Sequence, residues 1–242
     1  MRSYTNILID LDETIFDFKM AEHLAFDHTM DKFGVPNSKE LEEYYTEVNL
    51  SLWKALERKE VTKEVLKPLR FTRTLIKAQQ LHPNFDASRI TGELLNDEYI
   101  SSLSTFGIYI DGAEKFLRQL HDDKTKKIYI ITNGTAQSAN GRLDASGIRQ
   151  YIDKAYISDV IGATKPDKGF FEYVLNDINC QDKSQCLVIG DSLTSDIKGA
   201  NNIEIDACLF SRDGHFPDTA GYDIKYRAAG YDELMQVIQT PC

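Results

Sequence analysis

Residues 6–14, NILIDLDET, give the strongest indication of the fold class. Its unbroken apolar run, residues 7–9, is typical of a strand that is buried on both faces of a parallel sheet covered by helices. Asp10 and Asp12 follow, and because side chains alternate along an extended chain, both can point to the same side. Ligands of open α/β folds bind beyond the carboxyl ends of such strands. The same pattern also occurs in solvated turns, so the pair indicates a site only if other residues converge on it.

The charge and size of the chain limit what it can bind. Its 242 residues are enough for one large domain or two modest ones, with a sizeable core. The net charge of −10 argues against a nucleic-acid polymer as partner, because phosphate backbones are bound by basic surfaces. A small phosphorylated metabolite needs only a few local cations and remains a candidate partner.

The expected location is the cytoplasm. No segment reaches the roughly 18 consecutive apolar residues that a membrane span needs, so no membrane partner is expected. Residues 1–5 lead straight into the first predicted strand, which leaves no room for a signal peptide. The four cysteines show no zinc-ligand spacing, and Cys186 and Cys208 lie in apolar runs typical of reduced core residues.

Residues 18–103 have a helical pattern throughout. Residues 34–36 end a first helix, Ser38 is placed to cap a second, and the pattern continues around Pro68. A last helix is predicted over about residues 87–101. We therefore predict four or five helices and no strand in this block.

After about residue 104, strands alternate with helices. Strands are predicted at residues 127–131, 155–157, 186–189 and 207–210, with a closing helix at 231–239. This alternation predicts an α/β fold with a Rossmann-like, doubly wound parallel sheet. The predicted domains are a core of residues 1–17 and 104–242, and an inserted all-α helical domain of residues 18–103. Its simplest role is a cap over the crevice.

Polar residues follow four of the predicted strands, and parallel strands bring their carboxyl ends to one edge of the sheet. They are Asp10 and Asp12, then Thr132 and Asn133, then Lys165 and Pro166, then Asp191 and Asp196. Each of the later motifs has an ordinary explanation alone: a turn, a solvated loop, a helix cap or a surface carboxylate. Four of them in order at strand ends indicate a catalytic site.

This order resembles the haloacid dehalogenase (HAD) superfamily in its phosphatase form, over the whole chain. The motifs are Asp-x-Asp-x-Thr, Thr-Asn-Gly, Lys-Pro and Gly-Asp-Ser-x-x-x-Asp. The helical insertion after the first motif matches the subclass with an α-helical cap. Residues 10–18, 132–134 and 190–200 look most like the pyrimidine 5′-nucleotidase branch.

Phosphoryl transfer needs a nucleophile, an acid for the leaving oxygen, and positive charge around the transferred group. The resemblance implies that Asp10 is the nucleophile, which forms an aspartyl-phosphate. Asp12 would protonate the leaving alkoxide and later deprotonate the attacking water. Lys165 would supply positive charge, while the Thr132 hydroxyl and the Asn133 backbone N–H would donate to phosphate oxygens.

A divalent cation is also expected, because two carboxylates cannot face a phosphate dianion unaided. Mg²⁺ prefers carboxylate, carbonyl and water oxygens. By resemblance, its protein ligands would be Asp10, the backbone carbonyl of Asp12, and Asp191. Asp196 would lie in or near the next layer of residues and orient these ligands.

The expected activity is therefore that of a Mg²⁺-dependent phosphatase of nucleoside 5′-monophosphates that prefers pyrimidines, in a monomer or homodimer. Asp12 favours phosphate chemistry over carbon–halogen chemistry, because a dehalogenase has no alkoxide to protonate. A sugar-phosphate phosphatase or a phosphomutase would keep the same motifs. A binding or regulatory protein without turnover is the alternative from another class, and the intact motif residues argue against it.

Aromatic residues outside the motifs have two possible roles. They could stack on a nucleobase, or they could pack in the protein interior, which is the commoner use of aromatic residues at helical spacing. The residues concerned are Phe16, Phe18, Tyr44, Tyr45 and Trp53.

Overall fold

A computed structural model describes residues 4–239 of the chain. Contacts within the chain divide it into two compact units. One, here called the core unit, comprises Met1–Phe18 and Gly107–Cys242. The other, the helical unit, comprises Lys19–Phe106. The boundaries predicted from the sequence fall after residues 17 and 103, and the role of the helical unit as a cap remains a prediction.

The core unit contains a parallel six-stranded sheet. Its strands are β1 (Asn6–Asp10), β2 (Lys127–Thr132), β3 (Lys154–Ile157), β4 (Cys186–Gly190), β5 (Asp206–Phe210) and β6 (Tyr226–Ala228). They lie in the order β3-β2-β1-β4-β5-β6, and every neighbouring pair is parallel. The predicted α/β class and parallel sheet are thus confirmed. The strand order reverses beside β1, which is where ligand crevices form in such sheets.

Ten α-helices lie within residues 4–239. They are α1 (Phe18–Phe33), α2 (Lys39–Glu57), α3 (Lys63–Leu81), α4 (Gly92–Leu103), α5 (Ala113–Asp122), α6 (Ala136–Ala145), α7 (Ser158–Ile161), α8 (Lys168–Asp177), α9 (Lys198–Asn202) and α10 (Tyr231–Gln239). The first four form the helical unit, apart from Phe18, and the others belong to the core unit. No helix in the described range is both long and apolar enough to cross a membrane.

The first strand is buried on both faces, as its apolar run predicts. Ile7 and Ile9 pack in a hydrophobic cluster on one face of the sheet, and Leu8 packs in a second cluster on the other. All three side chains are fully buried. Burying an apolar side chain of this size contributes roughly 1.5–3 kcal/mol to the stability of the fold. This gain favours a position for β1 inside the sheet, between β2 and β4.

The aromatic residues of the helical unit pack mainly in its own interior. Tyr45 is fully buried, with its ring against those of Phe26, Phe71 and Tyr99. Tyr44 and Trp53 are partly buried against a cluster of Val48, Leu52 and Leu66. Packing therefore accounts for Tyr45 without a ligand. The predicted cap of α2 is confirmed, because Ser38 Oγ accepts a hydrogen bond from the Leu41 N–H at 3.2 Å.

Two elements differ from the sequence prediction. The last helix of the helical unit begins at Gly92 rather than near residue 87, because the Thr91 hydroxyl caps it and accepts from the Leu94 N–H at 3.3 Å. Just before it, the Asp86 carboxylate accepts from the Ser88 N–H, which stabilises a turn instead. The sheet also has β6, which was not predicted because its three residues are too few to show a period.

Candidate active site

The two aspartates of the first motif lie at the carboxyl end of β1, where the chain turns sharply. Asp10 is the last residue of β1 and is buried. The Leu11 carbonyl accepts from the Phe16 N–H at 2.8 Å, and the Glu13 N–H donates to the Phe16 carbonyl at 2.9 Å. Glu13 adopts a left-handed backbone conformation, with φ of 59°, to make this turn. The turn carries Asp12, whose side chain keeps 26% of its surface exposed.

Lys165 is buried and aims its ammonium at the end of β1. Its Nζ donates to Asp10 Oδ1 at 2.5 Å, to Asp196 Oδ1 at 2.6 Å and to the Ile131 carbonyl at 3.1 Å. An ammonium has three donor protons, so these three acceptors satisfy it fully. The structure thus brings Lys165 and Asp10 together, as the motif order predicts.

Asn133 holds Lys165 by a contact that sequence reasoning missed. Its side-chain amide donates to the Lys165 carbonyl at 2.9 Å and accepts from the Lys165 N–H at 2.8 Å. This paired contact joins the loop after β2 to the loop that carries Lys165. The neighbouring Thr132 is buried, and its hydroxyl oxygen accepts from the Gly134 N–H at 3.0 Å. Because an accepting hydroxyl still carries its own proton, Thr132 retains a donor.

Asp196 lies inside the site rather than on the surface. It is fully buried in a π-helical turn, Leu193–Ile197, and its Oδ2 accepts from the Ser192 N–H at 3.2 Å. The last residue of β4 makes room for it, because a Cβ at Gly190 would lie 2.3 Å from Asp196 Oδ2. Only glycine therefore permits this close approach without rearrangement.

Three carboxylates converge beside Lys165. Asp10, Asp191 and Asp196 each offer an oxygen, and these oxygens lie within 4.8 Å of one another. Burial raises the pKa of Asp10 well above its usual value, and Asp196, Asp191 and Asp12 add to the rise while Lys165 opposes it. Burial, followed by the charge of Asp196, raises the pKa of Asp191 to about 7. One ammonium is therefore too little to keep all three carboxylates ionised, and Asp10 and Asp191 hold their protons to a higher pH than an ordinary aspartate does.

Burial also disfavours the charge on Lys165, but Asp10 and Asp196 outweigh that effect. The pKa of Lys165 is consequently raised above its usual value, and the ammonium is charged at neutral pH. The same oxygen donor set fits a hard divalent cation such as Mg²⁺, which binds carboxylate, carbonyl and water oxygens. Asp10 and Asp191 are the residues best placed to hold such an ion, since both oxygens of Asp196 already accept hydrogen bonds, Oδ1 from Lys165 and Oδ2 from the Ser192 N–H, whereas Lys165 contacts Oδ1 of Asp10.

Arg142, on α6, is a further residue of the site that the sequence motifs do not include. Its Nη1 and Nη2 donate to Oδ1 and Oδ2 of Asp12 respectively, the second at 3.2 Å. The Arg142 side chain is 1% exposed. A single arginine in the middle of a helix gives no sequence signal for such a contact, because most arginines there face solvent.

Comparison with known protein families identifies a class of hydrolases. The haloacid dehalogenase-like hydrolase family model matches residues 4–203. The chain belongs to this family.

Its relatives include two bacterial nucleotidases. It is 32% identical over 235 residues to pyrimidine 5′-nucleotidase PynA of Streptococcus pneumoniae, covering 97% of this chain and 95% of that protein. It is 28% identical over 232 residues to pyrimidine 5′-nucleotidase YjjG of Escherichia coli, with 96% of each chain covered. The crystal structure of the HAD-hydrolase YfnB of Bacillus subtilis bound to magnesium matches with a TM-score of 0.88 and 29% identity, covering 99% of this chain and 100% of that one.

Proposed function

We propose that this chain is a Mg²⁺-dependent phosphomonoesterase that acts through an aspartyl-phosphate on Asp10. Its proposed substrates are nucleoside 5′-monophosphates, with a preference for pyrimidine bases. The observation that carries the proposal is the contact of the buried Lys165 ammonium with Asp10, beside the carboxylates of Asp191 and Asp196. A lysine in this position lowers the cost of bringing a phosphate dianion to a carboxylate nucleophile.

The first step is the transfer of the phosphoryl group to the protein. A carboxylate oxygen of Asp10 attacks phosphorus, and the bond from phosphorus to the ester oxygen breaks. Asp12 gives its proton to the departing alkoxide, which leaves as the nucleoside hydroxyl. The hydroxyl of Thr132 and the backbone N–H of Asn133 are proposed to bind the non-transferring oxygens.

The second step releases phosphate. Asp12, now a carboxylate, takes a proton from a water molecule that attacks the phosphorus of the aspartyl-phosphate. The bond from phosphorus to Asp10 breaks and the Asp10 carboxylate is restored, while Lys165 stays bound to it. Held by Asp10, Asp191 and the backbone carbonyl of Asp12, Mg²⁺ would supply positive charge that offsets the charge of the phosphate.

The substrate class is supported by the relatives. Two proteins that match along nearly the full chain are named pyrimidine 5′-nucleotidases. The related YfnB structure contains magnesium. The helical unit is proposed to act as the cap that selects the substrate, by analogy with the family's helical insertions.

The test is phosphate release from a panel of monophosphates with Mg²⁺. It comprises UMP, dUMP, dTMP, purine nucleoside monophosphates and sugar phosphates. We expect the highest kcat/KM with the pyrimidine nucleotides, and loss of activity in EDTA that added Mg²⁺ restores. A preference for sugar phosphates would overturn the nucleotidase assignment and keep the chemistry, whereas turnover without metal would contradict the chemistry itself.

A matched pair of variants controls the panel. Asp10→Asn removes the proposed nucleophile and should abolish turnover. Asp144→Asn removes a carboxylate that is 65% exposed and pairs with Arg149, so it should retain wild-type activity. Equal activity in the two variants would exclude Asp10 as the nucleophile.

A further inference from the structure

We propose that Arg142 is a positioning residue for Asp12, which holds the Asp12 carboxyl in the direction needed to pass a proton to and from the phosphoryl group. This inference rests on the proposed function. Its structural basis is the two-point contact, in which Nη1 and Nη2 of Arg142 reach the two different oxygens of Asp12. Two parallel hydrogen bonds fix the plane of a carboxyl group, which one hydrogen bond does not.

The guanidinium is itself held firmly. Its Cζ lies 5.1 Å from the ring centre of Phe18 and 5.9 Å from that of Phe16. The backbone of α6 is also packed tightly at this residue, because a Cβ at Gly107 would lie 2.3 Å from the Arg142 carbonyl oxygen. Because Arg142 is held in place, its two hydrogen bonds restrict the orientation of the Asp12 side chain.

The contacts of the guanidinium are concentrated on Asp12. Within residues 4–239, the Nε of Arg142 is buried and has no hydrogen-bond partner. A charged group that is 1% exposed thus finds its hydrogen-bonded counter-charge in Asp12, which is itself 26% exposed. Arg142 therefore holds Asp12 from the protein interior, while part of the Asp12 side chain remains accessible to solvent.

The two aspartates of the first motif are therefore held by different cations. Lys165 contacts Asp10, and Arg142 contacts Asp12. A buried ion pair is weak evidence for a stabilising role, because the cost of desolvation offsets most of its attraction. The two cations therefore have separate functions in this proposal: Lys165 supplies positive charge at the nucleophile, Asp10, and Arg142 orients the proton-transfer group, Asp12. Arginine N–H groups are donors only, so they can stay bound to the carboxyl oxygens before and after the proton moves.

The leaving group gives a test that separates positioning from general structural support. A nucleoside alkoxide needs a proton to depart, whereas p-nitrophenolate departs readily without one. If Arg142 acts through Asp12, its loss should slow the first step for UMP and spare that step for p-nitrophenyl phosphate. The second step needs Asp12 as a base for both substrates, so hydrolysis of the intermediate should slow in both cases.

The experiment compares Arg142→Gln and Arg142→Lys with Asp12→Asn and the wild type by rapid mixing with Mg²⁺. With UMP we expect kcat to fall by roughly 10–1000-fold with KM changed less than about threefold, because loss of the orientation of Asp12 removes only part of the roughly 100–10,000-fold that general acid–base catalysis contributes. With p-nitrophenyl phosphate we expect a first-turnover burst of p-nitrophenolate at close to the wild-type rate, then a slow steady state. Arg149→Gln, which removes a half-exposed arginine that pairs with Asp144, is the matched control and should behave as wild type.

A double-mutant cycle makes the result decisive. In an Asp12→Asn background, Arg142→Gln should cost less than about threefold further, because the group that Arg142 positions is already gone. Equal losses in the rate of the first step with both substrates, an additive cycle, unchanged kinetics, or failure of both Arg142 variants to fold would overturn the proposal. Failure of the proposed function is distinct, since it is read from the wild type. Release of phosphate from neither substrate would overturn the chemistry, and release from p-nitrophenyl phosphate but not from UMP would overturn the substrate class alone.

Discussion

The Nζ atom of Lys165 lies 2.5 Å from Oδ1 of Asp10, although 155 positions separate the two residues in the chain. The contact forms because β1 and β2 pair in parallel, with Asp10 opposite Ile131, and the Ile131 carbonyl accepts from the same ammonium. The loop that carries Lys165 is held there by Asn133. The sheet thus places a buried positive charge beside the carboxylate that we propose as the nucleophile.

Removing the Lys165 ammonium should destabilise the protein. Lys165→Met leaves Asp10 and Asp196 buried beside each other without a cation, and breaking a buried pair costs about 3–5 kcal/mol. Urea denaturation in chelator would measure the loss, and added Mg²⁺ should recover part of it by replacing the missing charge. Lys168→Met, at an exposed position of α8, is the control. Equal stability of the two variants would contradict the role of Lys165 in balancing the carboxylates.

The pKa of Asp191, about 7, predicts how the stability of the metal-free protein depends on pH. The unfolded chain gives up this proton near its ordinary pKa of 3.8, so between about pH 4 and 7 the folded state holds more protons than the unfolded state. We therefore expect the free energy of unfolding to fall, from this group, as the pH rises across that window, and to level off above it. Asp191→Asn should lack this component. Denaturation of both proteins in EDTA from pH 4.5 to 8 checks the difference, and parallel curves would show that Asp191 is not the group responsible.

Gly190 should not tolerate a side chain. In Gly190→Ala, the new Cβ would meet Asp196 Oδ2 at 2.3 Å and push Asp196 away from Lys165. Overpacking of this kind costs about 1–3 kcal/mol, and activity should fall as well. Gly169→Ala is the control, because nothing lies within 4 Å of its Cβ and alanine favours a helix such as α8. Thermal unfolding and phosphate release would compare them, and a neutral Gly190→Ala would mean that Asp196 can move without consequence.

The helical unit depends on a buried arginine of its own. Arg70 donates to the side-chain oxygens of Asn49 and Asn96, both at 3.0 Å, and its guanidinium lies 4.7 Å from the ring centre of Tyr99. Arg70→Ala would leave two buried amide oxygens without this donor, so we expect a loss of about 3–5 kcal/mol. Arg73→Ala, at an exposed position of the same helix, should change stability by less than about 0.5 kcal/mol.

Hydrogen exchange would report this loss segment by segment. In Arg70→Ala, faster exchange is expected for amides within Lys19–Phe106, the compact unit that contains Arg70. Unchanged exchange there, with normal stability, would show that the hydrogen bonds from Arg70 to Asn49 and Asn96 do not stabilise the packing of these helices.

The sequence predicts the site largely because parallel strands bring distant motifs to one edge. Asp10, Lys165 and Asp191 follow buried apolar runs, and each run is readable as a strand. The order of the strands brings Asp10 and Asp191 together. Lys165 lies farther from its strand, beyond α7, and its loop is also held by Asn133. The burial of Asp196 also depends on Gly190. The sequence shows that residue 190 is a glycine, but it does not show that the Asp196 side chain packs against it.

Other features are not predictable from the sequence because they depend on contacts without a local pattern. Arg142 reaches Asp12 from the middle of a helix, 130 positions away, and no motif marks it. The side chain of Asn133 pairs with a backbone segment 32 positions away. The β6 strand is only three residues long and is defined by pairing with β5.

In the proposed mechanism, Asp10 carries the phosphoryl group. The direct measurement is to quench the reaction with ³²P-labelled UMP and Mg²⁺ at early times, reduce the trapped protein with borohydride, and locate the modified residue by peptide mass spectrometry. The Asp12→Asn variant should be included with p-nitrophenyl phosphate, because this leaving group departs without a proton and slow hydrolysis of the intermediate would then increase the trapped fraction. We expect homoserine at position 10, and none in Asp10→Asn. Phosphate release without covalent label, or label at another residue, would contradict the proposed mechanism.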